Sequence, residues 1–245
     1  MTPELIPFLA VSIVVVAIMY ASVGHGGASG YLAVMALFSL APEALKPTAL
    51  LLNIVVAGVG SYLYLSAGQF SWKVFWPFVV TSIPASFMGG YFSLPPELYR
   101  PLLGLVLFFA AWRLFMRKDR NDYEPMPPTI AIAMLVGALL GFASGLIGVG
   151  GGIFLSPLMI LLGWARVREV SGIAALFILV NSISGLLGHL SALQHVPDYA
   201  PLLAGVALLG GSIGALCGSR HLPVRTILKA MSIMLFMAGG KMFLL

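Results

Sequence analysis

The residues best placed to do chemistry in this chain form two glycine-rich clusters. Gly24-His25-Gly26-Gly27-Ala28-Ser29-Gly30 lies in the first half, and Gly148-Val149-Gly150-Gly151-Gly152 in the second. Glycine lacks a Cβ, so it accepts positive φ and lets a ligand approach the main chain. A short apolar stretch follows each cluster, and the first N–H groups of a helix beginning there have no acceptor within the helix. Those donors, together with the positive end of the helix dipole, suit an oxyanion. Two such helix starts, at Gly26–Gly30 and Gly150–Ile153, are expected to converge from opposite sides. Tight helix packing through small residues is the competing explanation. Recurrence of the cluster favours a binding role, because interrupted apolar segments at matching places in two halves point to a transporter's substrate site.

Side chains near the clusters extend the candidate site. His25 stands where the second cluster has Val149; it is suited to donate to an oxyanion, or to titrate and couple transport to protons. A packing hydrogen bond is its plainer role. Asn53 and Asn181 follow the two short apolar pieces, and an amide in the membrane must face protein or a water-filled cavity. Each is a candidate donor to substrate, with interhelical hydrogen bonding as the alternative. The predicted substrate-binding set is Gly24, His25, Gly26, Gly27, Ser29, Asn53, Gly148, Gly150, Gly151, Gly152 and Asn181. Thr48, Ser171, Tyr20, Ser22, Ser144 and Ser156 are weaker candidates. His189 suits packing or a vestibule equally, His195 and His221 are loop residues, and Cys217 reads as a small packing residue. No catalytic, metal or cofactor group is expected.

The elements that must hold these residues follow from composition. Of 245 residues, 60% are hydrophobic and 9% charged, and the mean hydropathy is +1.04. A soluble domain must show water more polar surface than that. With a bilayer as solvent, main-chain groups must pair within helices or a closed barrel. The apolar runs are long and lack the alternation of barrel strands. The expected fold is an all-α polytopic membrane protein. Met1-Thr2-Pro3-Glu4 lacks the basic start of a cleaved leader, so the first segment is expected to span. The net charge of +5, suggestive of nucleic acid on a soluble protein, here reflects loop charges that set orientation.

Ten apolar segments are expected: 5–23, 28–40, 47–66, 74–92 and 98–116, then 129–147, 151–163, 169–190, 200–218 and 224–243. They divide the chain into a first transmembrane repeat, 1–116, a charged cytoplasmic linker, 117–128, and a second repeat, 129–245. Segments 28–40 and 151–163 are short for a full crossing and read as half-helices or re-entrant pieces. If all ten cross, Lys73, Arg113, Arg117, Lys118, Arg120, Arg166, Arg168, Arg220, Arg225 and Lys229 share the cytoplasmic side. Lys46, Arg100 and Lys241 remain outside, with both termini. Five segments per half and a cytoplasmic linker make the repeats inverted. Trp72, Trp76, Trp112 and Trp164 lie at segment ends, as interfacial anchors do.

All eight acidic residues, Glu4, Glu43, Glu97, Asp119, Asp122, Glu124, Glu169 and Asp198, fall in loops or at segment ends. Cation carriers normally place carboxylates inside the membrane. The pattern argues for a small anion. Expected partners are that anion and the lipid bilayer, not nucleic acid; a coupling proton or ion and a second copy of the chain are left open.

At these residues the chain resembles the sulfite exporter TauE/SafE family of anion transporters. Ser144-Gly145-Leu146-Ile147-Gly148-Val149-Gly150-Gly151-Gly152-Ile153-Phe154-Leu155-Ser156-Pro157-Leu158 looks like that family's second-repeat signature, and Gly24-His25-Gly26-Gly27 looks like its first-repeat counterpart, departing at His25 and lacking a proline at Ala33. The resemblance covers nearly the whole chain. It implies a prokaryotic inner-membrane permease for sulfur-containing or organic anions such as sulfite or sulfonates, sometimes an exporter. The expected mechanism is alternating access, with no enzymatic activity.

Two other readings compete. A passive anion channel also uses interrupted helices. Gly27-Ala28-Ser29-Gly30 superficially matches the serine motif of rhomboid intramembrane proteases, with His189 as base. That reading leaves the second cluster idle.

Overall fold

The computed structural model describes residues 5–21, 25–116, 124–191 and 196–218, with Ser232, Ile233, Phe236, Gly239 and Gly240. Among them stand α1 (Ile6–Ala21), α2 (Ala28–Leu37), α3 (Pro42–Ser66), α4 (Trp72–Tyr91), α5 (Pro96–Phe115), α6 (Ile130–Ile147), α7 (Gly152–Leu161), α8 (Val167–Ser191) and α9 (Ala200–Gly218), and no strand. They coincide with the first nine expected segments. Most of the tenth, the linker core at 117–123, His195, His221 and the side chain of Cys217 lie outside the described residues.

Local chemistry explains where helices start. Pro42 opens α3 and Glu43 stands in its first turn; proline is preorganised there and an acidic group complements the dipole. The helix therefore begins five residues before the expected 47, and Lys46 is drawn from its predicted outer loop into the second turn. Pro96 and Glu97 open α5 in the same way. Thr129 caps α6, its hydroxyl oxygen accepting the Ile132 N–H at 3.4 Å.

Among the described residues, three helices are long and apolar enough to cross a membrane: Glu43–Ser66, Ile130–Ile147 and Glu169–Ser191. By contrast α2 and α7 have ten residues each, about 15 Å of rise against a hydrocarbon core of about 30 Å. Neither crosses alone. The Met126 N–H, ahead of α6, donates to the Gly163 carbonyl, just beyond α7, at 2.8 Å. The chain just beyond α7 thus comes back beside the chain ahead of α6.

Small residues bring the long helices together. α4 packs along α6 and α8, α1 along α9, and α3 between α8 and α9. On α6, Gly137, Gly141 and Gly145 recur every fourth residue, and against them lie Phe78, Ser82 and Ser86 of α4. A methyl group on Gly145 would collide with the Ser86 carbonyl and stand 2.7 Å from the Gly90 nitrogen. Gly210 and Gly214 of α9 meet Val14 and Ile18 of α1 in the same fashion. Hydroxyls bind the bundle further: Thr81 Oγ1 donates to Met134 O at 2.6 Å, and Ser184 Oγ to Ile83 O at 2.6 Å.

The burial pattern is that of a chain solvated by lipid. Phe8, Val11 and Val15 of α1, Leu135 and Leu139 of α6, and Leu209, Ile213 and Leu216 of α9 point outward, while Thr48, Asn53, Asn181 and Ser182 are fully enclosed. Trp72, Trp76 and Trp112 are exposed, as anchors must be. Trp164 is not an anchor: it is buried, with its ring 5.8 Å from that of Phe78. It closes the core where α7 turns into α8.

A Gly145→Val replacement should separate α4 from α6. Overpacking of this kind typically destabilises by about 1–3 kcal/mol, and here the clash is with main chain. Lower yield of monodisperse protein and a lowered melting temperature in detergent are expected, with Gly205→Val, where a side chain meets open space, close to the parent.

Candidate substrate site

Both short helices open on glycine in the left-handed region. Gly27 (φ 101°) is the N-cap of α2 and Gly151 (φ 76°) that of α7, and neither helix start has a side-chain cap. Side chains rarely adopt these angles, which explains why glycine stands at both. On the second side Gly148 ends α6, its N–H donating to Ser144 O at 2.9 Å. On the first, the His25 N–H donates to Tyr20 O at 3.0 Å, folding the chain back from α1.

The two loops meet at one place. A methyl group on Gly26 would stand 2.8 Å from Asn53 Oδ1 and 2.9 Å from Ile178 Cγ2. One on Gly150 would stand 2.5 Å from Asn53 Nδ2 and 3.0 Å from that same Ile178 methyl. Residues from opposite halves thus abut one asparagine of α3 and one isoleucine of α8. Asn53 Nδ2 donates to Val149 O and to Ser182 Oγ, both at 3.4 Å, and so is held across the second loop. Its Oδ1 is buried without a partner. Rotating the carboxamide exchanges its ends, so Asn53 offers either donor or acceptor to what occupies the junction.

Further polar groups lie against the glycines. Gly151 faces Phe177 and Ser144, Gly152 packs on Ile178, and Gly27 on the ring of Tyr31. The hydroxyls of Tyr31 and Ser144 are buried without partners. Orphaned buried groups are uncommon and call for a physical reason; three of them here, with Asn53 Oδ1, adjoin the two loops. Ser29 and Tyr20 share a hydroxyl–hydroxyl hydrogen bond of 2.8 Å. Ser29 is therefore paired with a tyrosine, in contrast to the serine–histidine pair that a protease requires.

Other predicted residues stand differently. Asn181 Nδ2 donates back to Phe177 O at 2.8 Å, and its main-chain carbonyl accepts from Ser86 Oγ at 2.7 Å. The side-chain bond thus lies within α8, the Oδ1 is buried without a partner, and the main-chain carbonyl joins α8 to α4. His25 is half-buried, and Gly24 lies outside the described residues.

Lys46 escaped the sequence reading. It is 6% exposed, its amine donates to Gly90 O at 3.0 Å and Phe92 O at 2.8 Å, and its stem packs on Gly148. The signal that finds it is Pro42-Glu43, which marks a helix start ahead of the apolar run. Tyr99 Oη, donating to Ile147 O at 3.1 Å, secures the end of α6 beside it.

A profile of the sulfite exporter TauE/SafE family matches residues 9–242. A "probable membrane transporter protein" of Sinorhizobium fredii is 38% identical over 238 residues, 96% of each chain. Another from Bacillus subtilis is 29% identical over 218 residues, 82% of this chain and 84% of its own. "Sulfite exporter TauE/SafE family protein 6" of Arabidopsis thaliana is 29% identical over 109 residues, 43% of this chain and 25% of its own. No solved structure matches the chain.

Asn53→Asp places a carboxylate between the two helix starts at almost unchanged volume. Anion affinity should fall by about tenfold or more through like-charge repulsion, whereas Asn181→Asp should do less at the junction. Isothermal titration of the two purified variants with sulfite measures the difference.

Proposed function

The chain belongs to the sulfite exporter TauE/SafE family of membrane transporters, and on that premise we propose that it carries small sulfur-containing or organic anions, such as sulfite or sulfonates. It is a transporter and not an enzyme. In this reading it works as a secondary transporter of the prokaryotic inner membrane, by alternating access. The observation that carries the reading is the meeting of two uncapped, glycine-led helix starts at Asn53. Their N–H groups and dipoles offer an oxyanion partial positive charge without a metal. The bound anion lies between the loops, held by the main chain of Gly26, Gly27, Gly150, Gly151 and Gly152 and by the Asn53 amide, with His25 at the edge. Asn181 acts in this scheme by fixing α8.

The inverted-repeat arrangement draws support from helix pairing. Matching α1–α5 to α6 onward makes α4–α6 the counterpart of α1–α9, α4–α8 of α3–α9, and α2–α3 of α7–α8, while α3–α8 is its own counterpart. Two such halves rock against each other about a central site in alternating-access carriers. The glycine contacts of α4 with α6 and of α1 with α9 are the surfaces on which that movement occurs.

Purified protein in proteoliposomes should take up labelled sulfite saturably, with taurine and sulfoacetate as competitors. Gly26→Val and Gly151→Val should each reduce flux at least about tenfold, the loss of one well-placed contact, while the protein still inserts. Current that never saturates would make the protein an anion channel. Normal flux through a folded glycine variant would remove the site from between the loops.

A further inference from the structure

Among the described residues, Lys46 is the only lysine, arginine, aspartate or glutamate that is buried. Its two hydrogen bonds end on the carbonyls of Gly90 and Phe92. Carbonyls at the end of a helix carry partial negative charge, which solvates an ammonium without cancelling its unit charge. A cation enclosed in a membrane protein is unfavourable unless something nearby offsets it, and such residues are by default functional.

The position of Lys46 indicates what offsets it. Lys46 and Asn53 are seven residues apart on α3, so they lie on nearly the same face, about 10 Å apart along the axis. Both touch the second loop: the lysine stem packs on Gly148, and the Asn53 amide on Val149 and Gly150. The loop therefore runs from the stem of Lys46 to the junction of the helix starts. Each helix start contributes about half a charge. Lys46 adds a whole one, and at an effective interior dielectric of about 20 a unit charge about 10 Å away still changes the affinity for another unit charge by roughly tenfold.

We propose that Lys46 sets the charge preference of the site, selecting doubly charged oxyanions over singly charged ones of the same size. The inference rests on the anion-carrier reading and deepens it. Sulfate and methanesulfonate are the discriminating probes, because both are tetrahedral at sulfur and differ by one charge. A role confined to holding the end of α4 would alter stability and affect both probes alike; the ratio of their affinities isolates the charge.

The test titrates the purified full chain in detergent at neutral pH with each anion, following tryptophan fluorescence. The parent should bind sulfate about tenfold or more tightly than methanesulfonate. Lys46→Arg should keep that ratio, and Lys46→Gln and Lys46→Met should bring it close to one. A neutral variant that folds and keeps the preference for sulfate would overturn the inference and leave the carrier intact. Equal affinities in the parent would overturn it without need of any variant. A parent that binds neither anion nor sulfite would instead overturn the anion-carrier reading on which the inference rests.

Discussion

A peptide group that leaves a helix within a bilayer finds no water to replace its lost partner. Two helices of this protein begin inside the bundle, each on a left-handed glycine, and the surrounding helices enclose them. Every described residue of α2 from Ala28 to Ala36 is buried. The junction of the loops is walled by α3 and α8, whose Asn53 and Ile178 adjoin both clusters. Those two are also among the most clearly membrane-spanning elements. In the proposed anion carrier, enclosure and site are one feature: the same shielding that makes open N–H groups tolerable would keep water from competing for the anion.

Shielding of this quality requires close approach. Lipid tails are as apolar as leucine, so helices in a bilayer associate through fit and hydrogen bonds. The glycine ladder on α6 and the glycines of α9 supply the fit. Thr81, Ser86 and Ser184 supply hydroxyl bonds from one helix to the main chain of the next. These side chains face inward while phenylalanine, valine and leucine face lipid. The surface has given up the polarity it would have in water, while the core stays largely apolar with hydroxyls and amides set into it.

The helical class, nine of the segment positions and the glycine breaks were legible in the sequence, because each depends on local features: apolar run length, or a residue type that alone tolerates positive φ. The meeting of both clusters at Asn53 was legible only as an expectation. Ile178, which touches both loops, carried no signal at all, since nothing separates one apolar residue of α8 from the next until the fold is known. Trp164 was misplaced for a related reason: a tryptophan at the end of a run looks like an anchor, and only the tight turn between α7 and α8 draws it inside. Lys46 was misplaced because charge ends an apolar run on paper, whereas here an earlier proline starts the helix and two carbonyls receive the amine.

The contact between Gly26 and Ile178 joins residues from opposite ends of the chain's synthesis. When α2 leaves the ribosome, the wall that will cover its open end has not been made. The first cluster must therefore wait, sheltered by other means, until α8 has been translated and inserted. The second cluster has no such delay on one side, since α3 is already in place when Gly150 emerges. Assembly is accordingly asymmetric in time even where the finished architecture is balanced, and the interval between α2 and α8 is when the nascent chain most depends on the insertion machinery.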